Sequence, residues 1–128
     1  MGKRIFTISV LLLLVLGWLF WGPVDSVRAG SWTVTKTADT NDGTCDGDCS
    51  LREAIVAAGS GDTINFDYGL SGATITLGST ITIDKSLTIN GGSLGGHIKI
   101  SGDNSVRIFS INSGLTVELI DIDLIDGR

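Results

Sequence analysis

Proline and long apolar runs are nearly absent from this sequence. Pro23 is the single proline among 128 residues, and the one long apolar run, Ile5 to Trp21, lies near the N-terminus. Without a second such run, the rest of the chain has no further segment able to span a bilayer as a helix. The eighteen glycines, by contrast, suit a fold with many turns.

Histidine and cysteine are also scarce. His97 is the only histidine, and Cys45 and Cys49 are the only cysteines. A structural zinc site needs about four such ligands close together, so zinc is a poor interpretation. Two thiols this close are usually oxidised together outside the cell. We therefore predict a Cys45–Cys49 disulfide that fixes a small loop.

Basic residues are outnumbered after position 29. Residues 30–128 contain six basic and thirteen acidic side chains, a net charge of −7. This balance excludes nucleic acid and anionic membrane surfaces as favoured partners. Divalent cations or a cationic partner suit this charge better, and plain solubility is the alternative explanation. For an exported module we expect a glycan or another surface protein as the partner.

The N-terminus has the organisation of a secretory signal peptide. Lys3 and Arg4 precede the apolar run, and Val27-Arg28-Ala29 supplies a cleavage site after Ala29. We predict that residues 1–29 are a signal peptide, with an uncleaved signal anchor as the alternative. Either form places the rest of the chain outside the cytoplasm, secreted or at the cell surface.

A short capped helix is predicted after the cysteines. Ser50 and Glu53 have the spacing of a capping box, in which each side chain accepts a hydrogen bond from the other residue's backbone amide. An apolar stripe follows at helical spacing: Leu51, Ala54, Ile55 and Ala58. Gly59 is the predicted stop. Residues 30–62, with a strand from Ser31, the disulfide loop and this helix, form the predicted N-terminal cap.

Residues 63–128 show pairs of apolar residues separated by one position, which is typical of very short strands with one apolar face. The pairs are Ile64/Phe66, Ile75/Leu77, Ile81/Ile83, Leu87/Ile89, Ile98/Ile100, Phe109/Ile111, Val117/Leu119 and Ile122/Leu124. Related pairs recur every 22–24 residues, as from Ile75 to Ile98, Leu87 to Phe109 and Ile98 to Ile122. This repeat predicts an all-β parallel β-helix, a solenoid. An antiparallel sandwich is the alternative, although Asn90-Gly91 is the only Asn-Gly hairpin signal.

The pattern ends at Ile122–Gly127, within a coil. About two coils are present, whereas repeat arrays generally need three or more units. We expect either that the chain is a fragment of a longer protein or, if Arg128 is its true end, that the open last coil self-associates.

Cys49-Ser-Leu-Arg-Glu-Ala-Ile55 is similar to a family signature, and the match continues through Gly61–Phe66, Ser86–Gly91, Ile100–Gly102 and Arg107–Ile111. The chain resembles the CSLREA-type N-terminal region of bacterial exported parallel β-helix proteins, which are related to polymorphic outer-membrane and pectate-lyase-like repeats. The resemblance implies the entry cap of a right-handed β-helix on a large surface or secreted protein. It implies no catalytic residue at these positions.

The acidic loop before the helix fits part of an EF-type calcium pattern. Asp42, Thr44, Asp46 and Glu53 occupy positions 1, 3, 5 and 12 of that pattern. Against calcium, Thr44 replaces an Asp or Asn, no helix is predicted to enter the loop, and Glu53 is already required by the capping box. A disulfide-bonded turn without metal is the alternative, and no other cofactor is predicted.

Asp121 and Asp123 alternate with aliphatic residues, which predicts two carboxylates on one outer strand face. Polysaccharide lyases and glycosidases use such pairs, although a solvated outer face is the commoner explanation. The sequence thus favours a structural or adhesive surface module without catalysis of its own. The alternative is the N-terminal scaffold of a polysaccharide lyase or glycoside hydrolase.

Overall fold

The computed structural model of the chain describes residues 28–128. The predicted signal peptide, residues 1–29, therefore lies almost wholly outside the described residues. Within residues 28–128, no helix combines the length and the apolar content that crossing a membrane requires.

The described residues form nine short strands, one α-helix and one 3-10 turn, the latter at Tyr68–Leu70. The strands are rich in isoleucine and threonine, whose β-branched side chains favour extended backbone. Their bounds are β1 Ser31–Val34, β2 Thr63–Phe66, β3 Thr74–Thr76, β4 Ile81–Ile83, β5 Leu87–Asn90, β6 Ile98–Ser101, β7 Phe109–Ile111, β8 Val117–Ile120 and β9 Ile122–Ile125, with helix α1 at Leu51–Ala57.

The strands assemble into three parallel sheets. Their strand orders are β1-β2-β5-β8, β3-β6-β9 and β4-β7. Every strand pairing is parallel, so the antiparallel sandwich is wrong. The protein is β-rich, with parallel sheets and one short helix.

From β2 onward, the chain visits the three sheets in turn before it returns to the first. We call one passage through the three sheets a round: β2 to β4 is the first, β5 to β7 the second, and β8 and β9 begin the third. In β2 to β5 buried residues alternate with exposed or half-buried ones, and register partners on neighbouring strands place aliphatic side chains of successive rounds in columns. Ile64 and Ile89 form one such column and are fully buried.

The rounds are less regular than the repeat of 22–24 residues predicts. Ile98 pairs with Ile122, as that spacing requires. However, Leu87 pairs with Val117 rather than with Phe109, and Phe109 pairs with Ile81. The predicted Leu87–Phe109 match is wrong because the segment 102–108 forms a turn and lengthens the second round.

Helix α1 covers the first round. Leu51, Ala54, Ile55 and Ala58, the residues of the predicted stripe, are all buried in the core. The helix ends because Ala58 adopts an extended backbone with φ −61° and ψ 142°. Ala58 is thus the C-cap, and Gly59 occupies the following C′ position, where a glycine is expected at a helix end.

The opposite end of the described chain is open. The last strand of each sheet, β7, β8 and β9, pairs on one edge only within the described residues. Ile111, Leu119 and Leu124 are there 49%, 38% and 46% exposed. We call the surface formed by these three residues the end face.

Candidate functional site

The disulfide loop is fixed to the strand that precedes it. Cys45 and Cys49 form the predicted disulfide, with their Cα atoms 4.5 Å apart. The Cys49 amide donates to Thr35 Oγ1 and the Thr35 amide donates to the Cys49 carbonyl, both at 2.9 Å. Because Cys49 is fully buried, the bond joins a surface loop to the core.

The start of α1 is organised around a buried carboxylate. Ser50 Oγ accepts from the Glu53 amide at 3.1 Å, and Glu53 Oε2 accepts from the Ser50 amide at 2.7 Å, so both bonds of the capping box are present. The second oxygen, Glu53 Oε1, accepts from the Asp42 amide at 3.0 Å. The Glu53 side chain has no exposed surface.

These contacts keep Glu53 ionised. The hydrogen bond from the Ser50 amide is the main cause that lowers the pKa of Glu53, with smaller contributions from the Asp42 amide and the Lys36 charge. Desolvation opposes this shift but does not cancel it. Lys36 Nζ lies 3.7 Å from Glu53 Oε2, a distance at which the two charges attract.

The four residues proposed as calcium ligands do not surround one centre. Asp42 Oδ1 accepts from the Thr44 amide at 2.9 Å, and Asp46 Oδ1 accepts from the Asp48 amide at 3.0 Å. These are local turn contacts, and Glu53 is already bonded to three protein amide or hydroxyl groups. Across residues 28–128 no group of three or more His, Cys, Asp or Glu side chains is placed to hold a metal.

Asp62 joins the start of the described chain to the end of α1. Its Oδ1 accepts from the Gly30 amide at 2.6 Å, and its Oδ2 accepts from the Gly59 amide at 2.8 Å and from Trp32 Nε1 at 3.0 Å. The Gly59 bond is the main cause that lowers the pKa of Asp62, followed by the Trp32 and Gly30 bonds. The ionised carboxylate therefore holds β1 against the first round.

Two basic side chains attach α1 to the turns beneath it. Lys85 Nζ donates to the carbonyls of Ile55, Val56 and Ala58 at 3.0–3.3 Å, which supplies the C-terminal end of the helix with a positive charge. Arg52 forms two hydrogen bonds with Asp39, at 2.7 and 2.8 Å, and also reaches the Ser79 carbonyl at 2.8 Å. The N-terminal cap is thus attached to the strands by polar contacts as well as by its apolar face.

The two aspartates predicted on one strand face are separated. Asp121 lies between β8 and β9 with φ +51°, so it belongs to the corner of the chain and not to a strand. Asp123 lies in β9, where its Oδ1 is 3.1 Å from Nδ1 of His97. The prediction of a paired Asp121–Asp123 face is wrong, because the turn at Asp121 interrupts the alternation of inward and outward side chains between β8 and β9.

A groove of about 510 Å³ lies on the outer face of sheet β4-β7. Its lining residues are all polar: Thr80, Thr82, Arg107, Ser110 and Arg128. Thr82 and Ser110 are register partners on β4 and β7. The Arg128 amide donates to the Val106 carbonyl at 3.1 Å, so the backbones that bear the two arginines are adjacent.

Sequence reasoning missed Asp62, Lys85 and the pairing of the two arginines. Apart from the Gly59 amide, which is three positions from Asp62, Asp62 and Lys85 act on residues 27 to 32 positions away, and no local pattern marks such contacts. For Arg107 and Arg128 a signal existed, since their separation of 21 residues is close to the repeat length.

Comparison of the chain with protein-family models, with curated proteins and with solved structures finds no match. The functional argument therefore depends on the geometry of the chain itself.

Proposed function

We propose that this chain is an exported structural or adhesive module without catalytic activity, the N-terminal part of a right-handed parallel β-helix on a bacterial surface or secreted protein. The observation that supports the proposal is the strand order: each strand pairs in parallel with the strand one round later, beneath a helix that covers the first round. Such stacking extends by adding rounds and yields a stiff rod. The CSLREA-type resemblance supports the same interpretation.

The stacking of rounds is tested by disulfide cross-linking. Thr88 and Glu118 are register partners on β5 and β8. Neighbouring parallel strands place such partners about 5 Å apart, within the range that a disulfide bridges. The double variant Thr88→Cys/Glu118→Cys should therefore cross-link on mild oxidation. The control Thr88→Cys/Asp123→Cys, with its second cysteine in another sheet, should not. Equal cross-linking in both variants would overturn the β-helix.

Export and the absence of catalysis are tested on the full chain in a bacterial host. We expect the mature protein outside the cytoplasm, with Gly30 as its first residue by N-terminal sequencing. Incubated with acidic and neutral polysaccharides, it should release no new reducing ends and no unsaturated sugar products. Retention in the cytoplasm, or release of products, would contradict the proposal.

One observation favours the second candidate, the scaffold of a polysaccharide lyase or glycoside hydrolase. His97 Nδ1 and Asp123 Oδ1 lie 3.1 Å apart on an outer face. A histidine and a carboxylate in contact are suitable acid–base groups. If product release is detected, His97→Ala should abolish it under this second candidate.

We further propose that the end face associates with the same face of a second copy of the 128-residue chain. In a longer protein a further round would cover this surface. Sedimentation velocity at increasing concentration should show a dimer, and Leu119→Glu/Leu124→Glu should remain monomeric. Val56→Glu is the matched control, because Val56 is an exposed apolar residue (57%) at the covered end. A wild-type chain that stays monomeric would disprove the association.

A further inference from the structure

We propose that the groove on sheet β4-β7 binds the oxyanion groups, carboxylate or sulfate, of an acidic polysaccharide. The inference rests on the adhesive function proposed above and specifies its ligand. Two guanidinium groups, from Arg107 and Arg128, form the positive part of the site.

The charge distribution is the first argument. Residues 30–128 have six basic side chains against thirteen acidic ones, yet two of the six line this one groove. Among the six, Lys36, Arg52 and Lys85 are paired with carboxylates, whereas Lys99, Arg107 and Arg128 take part in no ion pair within the described residues. Of these last three, only the two arginines line the groove. Both arginines are exposed, so their donors face solvent and a ligand. Planar guanidinium groups match carboxylate and sulfate oxygens with paired hydrogen bonds.

A third arginine adds to the potential at one end of the groove. Arg52 donates from Nη1 to the carbonyl of Thr80, a lining residue, at 3.4 Å. Its charge is shared with Asp39, to which Nη2 donates at 2.7 Å, so Arg52 orients the local backbone more than it attracts a ligand. None of the five lining side chains is acidic, so the side chains of the groove favour an anion.

The remaining lining groups favour a sugar polymer over a nucleic acid. Thr80, Thr82 and Ser110 offer three hydroxyl groups, each able to donate to and accept from sugar hydroxyls. Single-stranded nucleic acids are usually held by aromatic stacking, and none of the five lining side chains is aromatic.

The lining residues lie on or beside paired strands. Thr82 and Ser110 project from adjacent parallel strands, beside the buried residues Ile81 and Ile83. Arg107 lies two positions before β7, and the Arg128 amide donates to the carbonyl of Val106, the residue before Arg107. This backbone contact brings the two positions from which the arginine side chains project next to each other.

The experiment measures binding of the full chain to three polymers: alginate for carboxylate, dextran sulfate for sulfate and neutral dextran as the uncharged reference. The variants are Arg107→Gln, Arg128→Gln and the control Lys99→Gln, which removes the same charge from β6 in another sheet. We expect binding to at least one acidic polymer, weakened roughly fivefold to tenfold by either arginine variant and unchanged by the control. Arg107→Lys should restore only part of the affinity, because the amine lacks the planar fork.

The comparison of alginate with dextran sulfate identifies the anion. No binding to either acidic polymer, equal binding to neutral dextran, or an equal loss in Lys99→Gln would overturn the site. Equal or tighter binding of a single-stranded oligonucleotide would also overturn it, because the groove would then respond to charge alone. Each variant is checked by urea unfolding, and an unchanged midpoint shows that the scaffold is intact. A failure to bind would then count against the groove alone, because the β-helix proposal is tested separately by the cross-linking experiment.

Discussion

The two ends of the molecule contain the same kinds of residue in very different surroundings. At the covered end, α1 buries an aliphatic stripe on the first round. Its Arg52 donates to the Ser79 carbonyl, Lys85 donates to the carbonyl of Ala58, and Asp62 accepts from the Gly59 amide just after the helix. At the end face, aliphatic residues remain 38–49% exposed. Each exposed residue has a fully buried partner one round earlier in the same column: Ile83 for Ile111, Ile89 for Leu119 and Ile100 for Leu124.

This difference shows that the burial of an aliphatic side chain depends on whether a further round covers it. Isoleucine and leucine gain stability from removal of their apolar surface from water, and this requires a neighbour on both sides. Inner residues have both neighbours, while the end face has one. Folding stability should therefore depend mainly on the inner columns and the cap.

The largest expected effect compares two residues of one column. Ile89→Ala should lower the free energy of unfolding by about 2–5 kcal/mol, because it leaves a cavity in a packed column. Leu119→Ala, in register with Ile89, should cost about 1 kcal/mol, because part of that side chain is already in water. Urea unfolding followed by circular dichroism measures both. Equal losses would mean that the two rounds are equally packed, contrary to the structure.

The attachment of the cap is tested next. Lys85→Met keeps the length of the side chain but removes the charge that faces the carbonyls of Ile55, Val56 and Ala58. We expect a loss of about 1–2 kcal/mol in the free energy of unfolding. Lys99→Met is the matched control, since it removes a lysine from a strand that α1 does not contact. A loss as large in the control would show that the helix end does not depend on Lys85.

A smaller effect is expected at the helix start. Ser50→Ala removes the oxygen that accepts from the Glu53 amide and should lower the free energy of unfolding by about 1 kcal/mol. Ser60→Ala, in the exposed turn after the helix, should have no measurable effect. If the urea midpoint of Ser50→Ala equals that of the wild type, the capping box does not stabilise the fold.

The part of the fold that was predictable is the part encoded by near neighbours. The capping box and the apolar stripe depend on residues three or four positions apart, and the structure confirms both. The register was not predictable, because it depends on turn lengths. The turn at 102–108 contains Asp103 and Asn104 with φ above +50°, and apolar spacing does not reveal such a turn.

Close contacts between the backbones of successive rounds were also not predictable from the sequence. A side chain at Gly91 would place Cβ 2.6 Å from the carbonyl oxygen of Asp121, thirty positions later. Only glycine permits this contact between rounds, but nothing in the local sequence distinguishes Gly91 from the turn glycines. For Arg107 and Arg128 the separation of 21 residues is close to the repeat length, but the groove itself forms only when successive rounds are placed side by side.

The calcium hypothesis concerns the covered end only, because the acidic loop before α1 belongs to the N-terminal cap. Because Glu53 and Asp42 accept hydrogen bonds from protein groups, we expect millimolar calcium to leave the melting temperature unchanged. A rise that magnesium does not reproduce, and that Asp46→Asn removes, would instead establish a calcium site in the loop.

The last prediction concerns acid and the covered end. The pKa of Asp62 is lowered in the folded protein, so its ionised form stabilises the fold at pH values above the ordinary carboxylate pKa of about 4. That stabilisation is lost as the pH falls toward the lowered folded value, because the unfolded chain then binds the proton more readily. Asp62→Asn should therefore reduce stability near neutrality and flatten the decline of the urea midpoint on acidification. Asp103→Asn, an exposed turn aspartate, is the control, and an equal flattening there would show that the acid response does not arise where β1 meets α1.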